Sequence, residues 1–147
     1  MSQDKRLQNA VNFIEENLDN PISLADVSKA AFSSLSYFHR IFYFTTGLTV
    51  KEYIRKRRLS HAAYQLRCTD LSVTEIALKA GYEAPETFTR AFKKHFGVNP
   101  RTFKQTNQEH PLLEKLDILG KYTIKQPKEL DFNFNFNLQY VLYKEIL

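Results

Sequence analysis

An all-α fold, with two helix-turn-helix subdomains joined by a long linker helix and followed by a short C-terminal tail of β-strand character, is predicted by three features of the sequence. Apolar residues recur at spacings of three and four through residues 4–107, which is the period of a helix with one buried face. Capping residues stand at the head of each periodic stretch. The whole pattern then occurs twice, at an offset of about fifty residues.

In residues 4–18, Leu7, Ala10, Val11, Ile14 and Leu18 line one side of a first helix, with Lys5, Arg6, Glu15 and Glu16 elsewhere on the cylinder. Asp19-Asn20-Pro21 ends it, because proline disfavours helical geometry in the residue before it. Ser23-Leu-Ala-Asp26 reads as a capping box for a short helix through Ala31, with Leu24, Val27 and Ala31 facing inward. A turn at Phe32-Ser33-Ser34 leads to a third helix from about Leu35 to Thr46, with Phe38, Ile41 and Phe42 on one side. Gly47 closes it as a left-handed cap. Thr49-Val-Lys-Glu52 reads as another capping box and opens the linker helix of 49–67, whose apolar side carries Tyr53, Ile54, Leu59, Ala62, Ala63 and Leu66. Nineteen helical residues span about 28 Å.

Ser72-Val-Thr-Glu75 repeats the capping box, and Val73, Ile76, Ala77 and Ala80 repeat the inward positions. Leu24 matches Val73, Asp26 matches Glu75 and Val27 matches Ile76 at an offset of 49; Phe38, Arg40, Phe42 and Gly47 match Phe88, Arg90, Phe92 and Gly97 at an offset of 50. One residue has therefore been added in the second turn. Asn99-Pro100, an N-cap with proline at the first helical position, starts a last short helix carrying Phe103, the match of Tyr53. Two units of short helix, turn and second helix form the helix-turn-helix arrangement, over 4–47 and 72–107. An aromatic row in one helix is ordinarily core; its recurrence in register, with arginine beside it each time, points further.

At 147 residues, 43% hydrophobic and 25% charged, the chain can bury one modest core or two small ones. Its net charge of +5 belongs to the first part, since residues 1–107 hold 16 Lys/Arg against 10 Asp/Glu and residues 108–147 hold 5 against 6. The absence of an apolar leader and of any run near the roughly 20 residues of a membrane span predicts a cytoplasmic protein with no membrane partner. The single Cys68 has no internal disulfide partner and no nearby histidine constellation, so it reads as a thiol near a helix end. His39, His61, His95 and His110 have no metal-ligand spacing, and there is no Gly-rich phosphate loop or nucleophile motif. An enzyme is therefore not expected, nor any cofactor.

A recognition helix must anchor one face in protein while the other enters a major groove with donors and acceptors at base edges. Both candidate helices meet that demand. Residues 33–67 carry seven Lys/Arg and one acid, with the cluster Arg55-Lys56-Arg57-Arg58 on the linker; phosphate neutralisation is the natural use of such density, against a solvated helix face as the plain alternative. Successive major-groove faces on one side of B-DNA are about 34 Å apart. A rigid connector of about 28 Å is expected to set two reading helices at about that separation.

The double unit, and above all the run GYEAPETFTRAFKKHFGVNPRTF at 81–103, resembles the C-terminal signature of the AraC/XylS family of bacterial transcription regulators, over residues 4–107. The resemblance implies seven helices and binding to two neighbouring major-groove segments of an asymmetric promoter site. Carried over position by position, the groove-facing sites fall on Ser36, His39 and Arg40 in the first recognition helix and on Pro85, Glu86, Thr89 and Arg90 in the second. Tyr43, Arg55, Lys56, Arg57, Arg58, Lys93, Lys94 and Arg101 are the expected backbone contacts. Arginine binds guanine bidentately and Glu86 can accept from cytosine, although a glutamate also suits a helix N-terminus electrostatically. Relatives often carry Gln or Trp at groove positions, so Ser36 and Pro85 are expected to discriminate less.

Past residue 107 the composition changes. Phe132, Phe134, Phe136, Leu138 and Tyr140 alternate with Asn133, Asn135, Asn137 and Gln139, a period of two that reads as a strand with one apolar face. Residues 108–147 then read as a strand packed on the helices, a self-association element, or the truncated start of an effector domain. Expected partners are double-stranded promoter DNA, bound as a monomer, and RNA polymerase; whether the protein is an activator or a repressor, and whether a small-molecule effector is sensed, are left open. The rival reading is an effector-sensing or protein-interaction module on the same scaffold with little DNA binding. Salt separates the two, because a DNA reader loses affinity steeply as salt rises.

Overall fold

The computed structural model describes residues 1–106 and 112–119. Among them stand seven α-helices: α1 (Gln3–Glu16), α2 (Leu24–Ala30), α3 (Leu35–Thr46), α4 (Val50–Cys68), α5 (Val73–Lys79), α6 (Pro85–Phe96) and α7 (Pro100–Gln105). The described residues contain no strand, so the all-helical expectation holds there; the strand expected at 132–140 lies outside them.

Local chemistry sets the helix starts. Ser23, Ser34 and Asn99 each accept a backbone N–H three residues on, at the heads of α2, α3 and α7. At α5 the exchange is reciprocal, since Ser72 Oγ accepts from the Glu75 N–H at 3.1 Å and the Glu75 carboxylate accepts from the Ser72 N–H at 2.8 Å. The backbone bond from Ser72 is the main reason the Glu75 carboxyl lies below its ordinary pKa. At Thr49 only half of the expected box forms, because its hydroxyl caps the Glu52 N–H and itself donates to the Glu52 carboxylate.

The chain divides into two compact units, and the division falls inside α4 after Ile54. The first contains residues 1–16, 22–54 and 115–119. Its core is Leu7, Ala10, Val11 and Ile14 of α1 with Val27, Ala31, Phe38, Phe42, Val50 and Tyr53. Phe38, Phe42 and Tyr53 form a continuous ring row, each neighbour pair at 5.7 Å. In the second unit Leu59, Ala62, Ala63 and Leu66 of α4 meet Ile76, Ala77, Ala80, Phe88, Phe92 and Phe103. Phe88, Phe92 and Phe103 repeat the row, at 5.6 and 5.3 Å.

The repeat extends to the turns. Between α2 and α3, Phe32 N–H donates to the Lys29 carbonyl and Ser33 N–H to the Ser28 carbonyl; between α5 and α6, Gly81 donates to Leu78 and Tyr82 to Ala77. Gly81 turns the chain at φ +88°, a region open to glycine, whereas the matching Phe32 is forced to φ +51°. The carbonyl of Phe32 is held by Arg6 Nη1 at 2.9 Å. The added residue of the second turn is Glu83, because Tyr82 still keeps the earlier offset and the N-cap Ala84 already has the later one. Ala84 offers no side-chain cap, and Pro85 at the first helical position removes one N–H that would need it.

Residues 112–119 have no regular structure, yet they are packed. In the first unit Leu116 and Ile118 are buried, and the Gln8 side chain of α1 accepts from the N–H groups of Ile118 (2.6 Å) and Leu119 (3.2 Å) and donates to the Leu116 carbonyl (3.3 Å). Tyr53 Oη accepts from the Leu116 N–H. In the second unit buried Leu113 donates its N–H to Ser60 Oγ at 2.8 Å, and its carbonyl accepts from Arg57.

Candidate nucleic-acid interface

Helix geometry decides which side chains of α3 and α6 are free to meet a ligand. On α3, Phe38, Phe42, Thr45 and Thr46 are buried, so Ser36, Arg40 and Tyr43 face solvent with His39 half-buried at the margin. On α6, Phe88 and Phe92 are buried, so Glu86, Arg90, Lys93 and Lys94 are exposed, with Pro85 and Thr89 half-buried. Every residue expected to read bases therefore lies on or beside the outward face of its helix. Arg101, on α7, is exposed.

The basic run of α4 does not behave as one patch. Successive helical residues are roughly 100° apart, so four of them sweep about 300° and cannot all face one way. Arg55 is exposed and Lys56 half-buried, but Arg57 is only 9% exposed and donates to the Leu113 carbonyl. Arg58 donates through Nε to the Leu18 carbonyl at 3.1 Å and through Nη2 to the Asn20 carbonyl at 2.6 Å. Arg57 Nη1 and Arg58 Nε and Nη2 are thus turned to backbone carbonyls of the protein, which sets these two of the expected phosphate contacts apart from Arg55 and Lys56.

Arg58 also lies against the α5–α6 turn. A Cβ at Gly81 would stand 3.1 Å from its Nη1, a tight contact that the arginine tip would have to yield to, and the φ of +88° strains any larger residue there whatever the space. Desolvation lowers the Arg58 pKa, and it raises that of the adjoining Tyr82 phenol, whose ring meets Phe88 edge-on at 5.5 Å. The arginine thus braces the turn that leads into the second recognition helix.

His95, on the last turn of α6, is largely desolvated and sits in the field of Lys56 and Arg55; burial first, then those cations, depress its pKa to about 4. Its imidazole is therefore neutral at pH 7. An unfolded chain takes up this proton near 6.5 and the folded one only near 4, so the unfolded state binds more protons in between. Stability is expected to fall as pH drops from about 6.5 towards 4. His95→Phe should flatten that dependence, as read by urea midpoints at pH 7 and pH 4.5; equal slopes for the two proteins would count against it.

One contact was not expected from the sequence: the Arg40 guanidinium carbon lies over the Tyr37 ring, 5.9 Å from its centroid. An aromatic three residues before an arginine on a helix is the available signal for it. Among the described residues no group of three His, Cys, Asp or Glu side chains is placed to hold a metal ion, and no helix is long and apolar enough to cross a membrane.

The family model described as a helix-turn-helix domain matches residues 27–106. A transcriptional regulator from Chromobacterium violaceum with an AraC-type DNA-binding domain superposes with a TM-score of 0.66 at 27% identity, covering 69% of this chain and 90% of that one. SoxS, a regulatory protein of Escherichia coli, is 36% identical over 104 residues, which are 71% of this chain and 97% of SoxS. The chain belongs to the AraC/XylS family. A further relative, the HTH-type transcriptional regulator YbfP of Bacillus subtilis, is 39% identical over 121 residues, 78% of this chain and 41% of YbfP. This chain therefore spans less than half of that longer relative, while matching nearly all of SoxS.

Proposed function

We propose that the protein is a sequence-specific DNA-binding transcription regulator, not a catalyst, which inserts α3 and α6 into adjacent major-groove segments of a promoter. The observation that carries this reading is the matched division of labour on the two helices. Phe38 and Phe42, like Phe88 and Phe92, are spent on the core, while Arg40 and Arg90 stand exposed at equivalent positions. Bases are read by Ser36, His39, Arg40, Pro85, Glu86, Thr89 and Arg90, and phosphates are met by Tyr43, Arg55, Lys56, Lys93, Lys94 and Arg101. Regulation of transcription makes RNA polymerase the partner at the promoter.

Selection of bound sequences from a random duplex pool supplies the site, and substitution then tests the assignments. Arg40→Ala and Arg90→Ala are each expected to weaken binding to the selected site by about 1–3 kcal/mol and to relax preference at one or two base pairs. Lys56→Ala should weaken selected and random duplexes alike and reduce the salt slope by about one. Equal losses on both duplexes for all three variants would remove the base-reading assignment.

A further inference from the structure

The two recognition helices carry matched arginines in unmatched surroundings. Arg40 and Arg90 occupy equivalent positions, but Tyr37 lies under the first where Thr87 stands at the place matching it in the second. Tyr37 is 40% exposed and takes no part in the Phe38–Phe42–Tyr53 core row. Its backbone N–H is already capped by Ser34 Oγ at 3.3 Å, so the first turn of α3 is fixed without the ring. The visible use of that ring is the face it presents to the guanidinium.

We infer that Tyr37 is a positioning residue for Arg40: the ring face attracts the guanidinium 5.9 Å above it and biases the side chain toward one side of α3 before DNA arrives. This rests on the reading of α3 as a recognition helix. A free arginine loses several rotatable bonds on binding, and each ordered rotamer costs affinity. Attraction to an aromatic face restricts those rotamers in advance without using up an N–H donor, so the groups that make the bidentate contact to guanine O6 and N7 stay available. Thr87 offers no ring, so Arg90 has no such partner and is ordered by the DNA itself. The protein then has one pre-set arginine and one that adapts, and the base pair under Arg40 should be the more stringently read of the two.

The test uses the full chain and its selected duplex, with single-base variants at the position that Arg40→Ala relaxes. Tyr37→Ala is expected to lower discrimination at that base pair about two- to fivefold, the value of an exposed cation–aromatic contact, while leaving affinity for random duplex unchanged. Tyr37→Phe should keep wild-type discrimination, because it retains the ring face. In an Arg40→Ala background, Tyr37→Ala should add no further loss at that base pair. The inference is overturned if Tyr37→Ala leaves discrimination intact while Arg40→Ala abolishes it, if Tyr37→Ala weakens selected and random duplexes equally, or if Tyr37→Phe behaves like Tyr37→Ala. If Arg40→Ala itself relaxes no base pair, the base-reading role of α3 fails first, and the positioning role with it.

Discussion

Phe92→Ala is expected to cost about 3–5 kcal/mol of stability, enough to remove much of the margin of a small domain. The ring is fully buried and is the hub of the second unit, meeting Phe96 at 4.5 Å, Phe103 edge-on at 5.3 Å and Phe88 at 5.6 Å. Removing it opens a cavity in the core cluster that also holds Leu59, Ala63 and Ile76, and a close-packed core relaxes only in part to fill such a gap. The urea midpoint should fall sharply, and DNA affinity should follow, because Arg90 lies two residues before the lost ring on the same helix. Phe44→Ala is the control. Phe44 is 84% exposed at the C-terminal end of α3, so its removal should move the midpoint by less than about 0.5 kcal/mol. Comparable losses from both would mean that the buried row does not hold the second unit together.

The contrast between Phe92 and Phe44 also shows what could be read in advance. Both are phenylalanines on amphipathic helices, and the three-and-four spacing alone separates the buried one from the exposed one. The same periodicity, with Ser and Asn caps and the fifty-residue repeat, located each described helix to within a few residues, since these are local properties of the chain. The outward faces of α3 and α6 followed directly from knowing which faces were inward. Arg57 and Arg58 show what periodicity does not carry. Their charge is evident in sequence, but the carbonyls that take their donors belong to Leu113, Leu18 and Asn20, and such long-range partners leave no periodic trace. Residues 112–119 were hidden for the same reason: their fixed points are backbone groups, whose partners are single polar side chains set in otherwise apolar helix faces. Gln8 is the instance that bears most on stability.

Gln8→Leu should therefore release the segment 115–119 from the first unit. Gln8 is 7% exposed within the stripe of Leu7, Ala10, Val11 and Ile14, and leucine would suit that stripe by volume and polarity. On pattern alone the change looks neutral or favourable. Yet it removes the acceptor for the Ile118 and Leu119 N–H groups and the donor to the Leu116 carbonyl, and each buried group left without a partner costs about 1–3 kcal/mol. The cheaper outcome for the chain is to let the segment leave, which exposes Leu116 and Ile118 and forfeits about 1.5–3 kcal/mol of burial for each. Either way the first unit is destabilised by several kcal/mol. Hydrogen exchange separates the two routes, because the Ile118 amide should be protected in the wild type and exchange freely in Gln8→Leu if the segment detaches. A double-mutant cycle sharpens the point: Leu116→Ala should be costly alone and nearly silent on top of Gln8→Leu, since a side chain already released has no burial left to lose. Full additivity of the two substitutions, with Ile118 still protected, would show that Gln8 does not hold the segment in place.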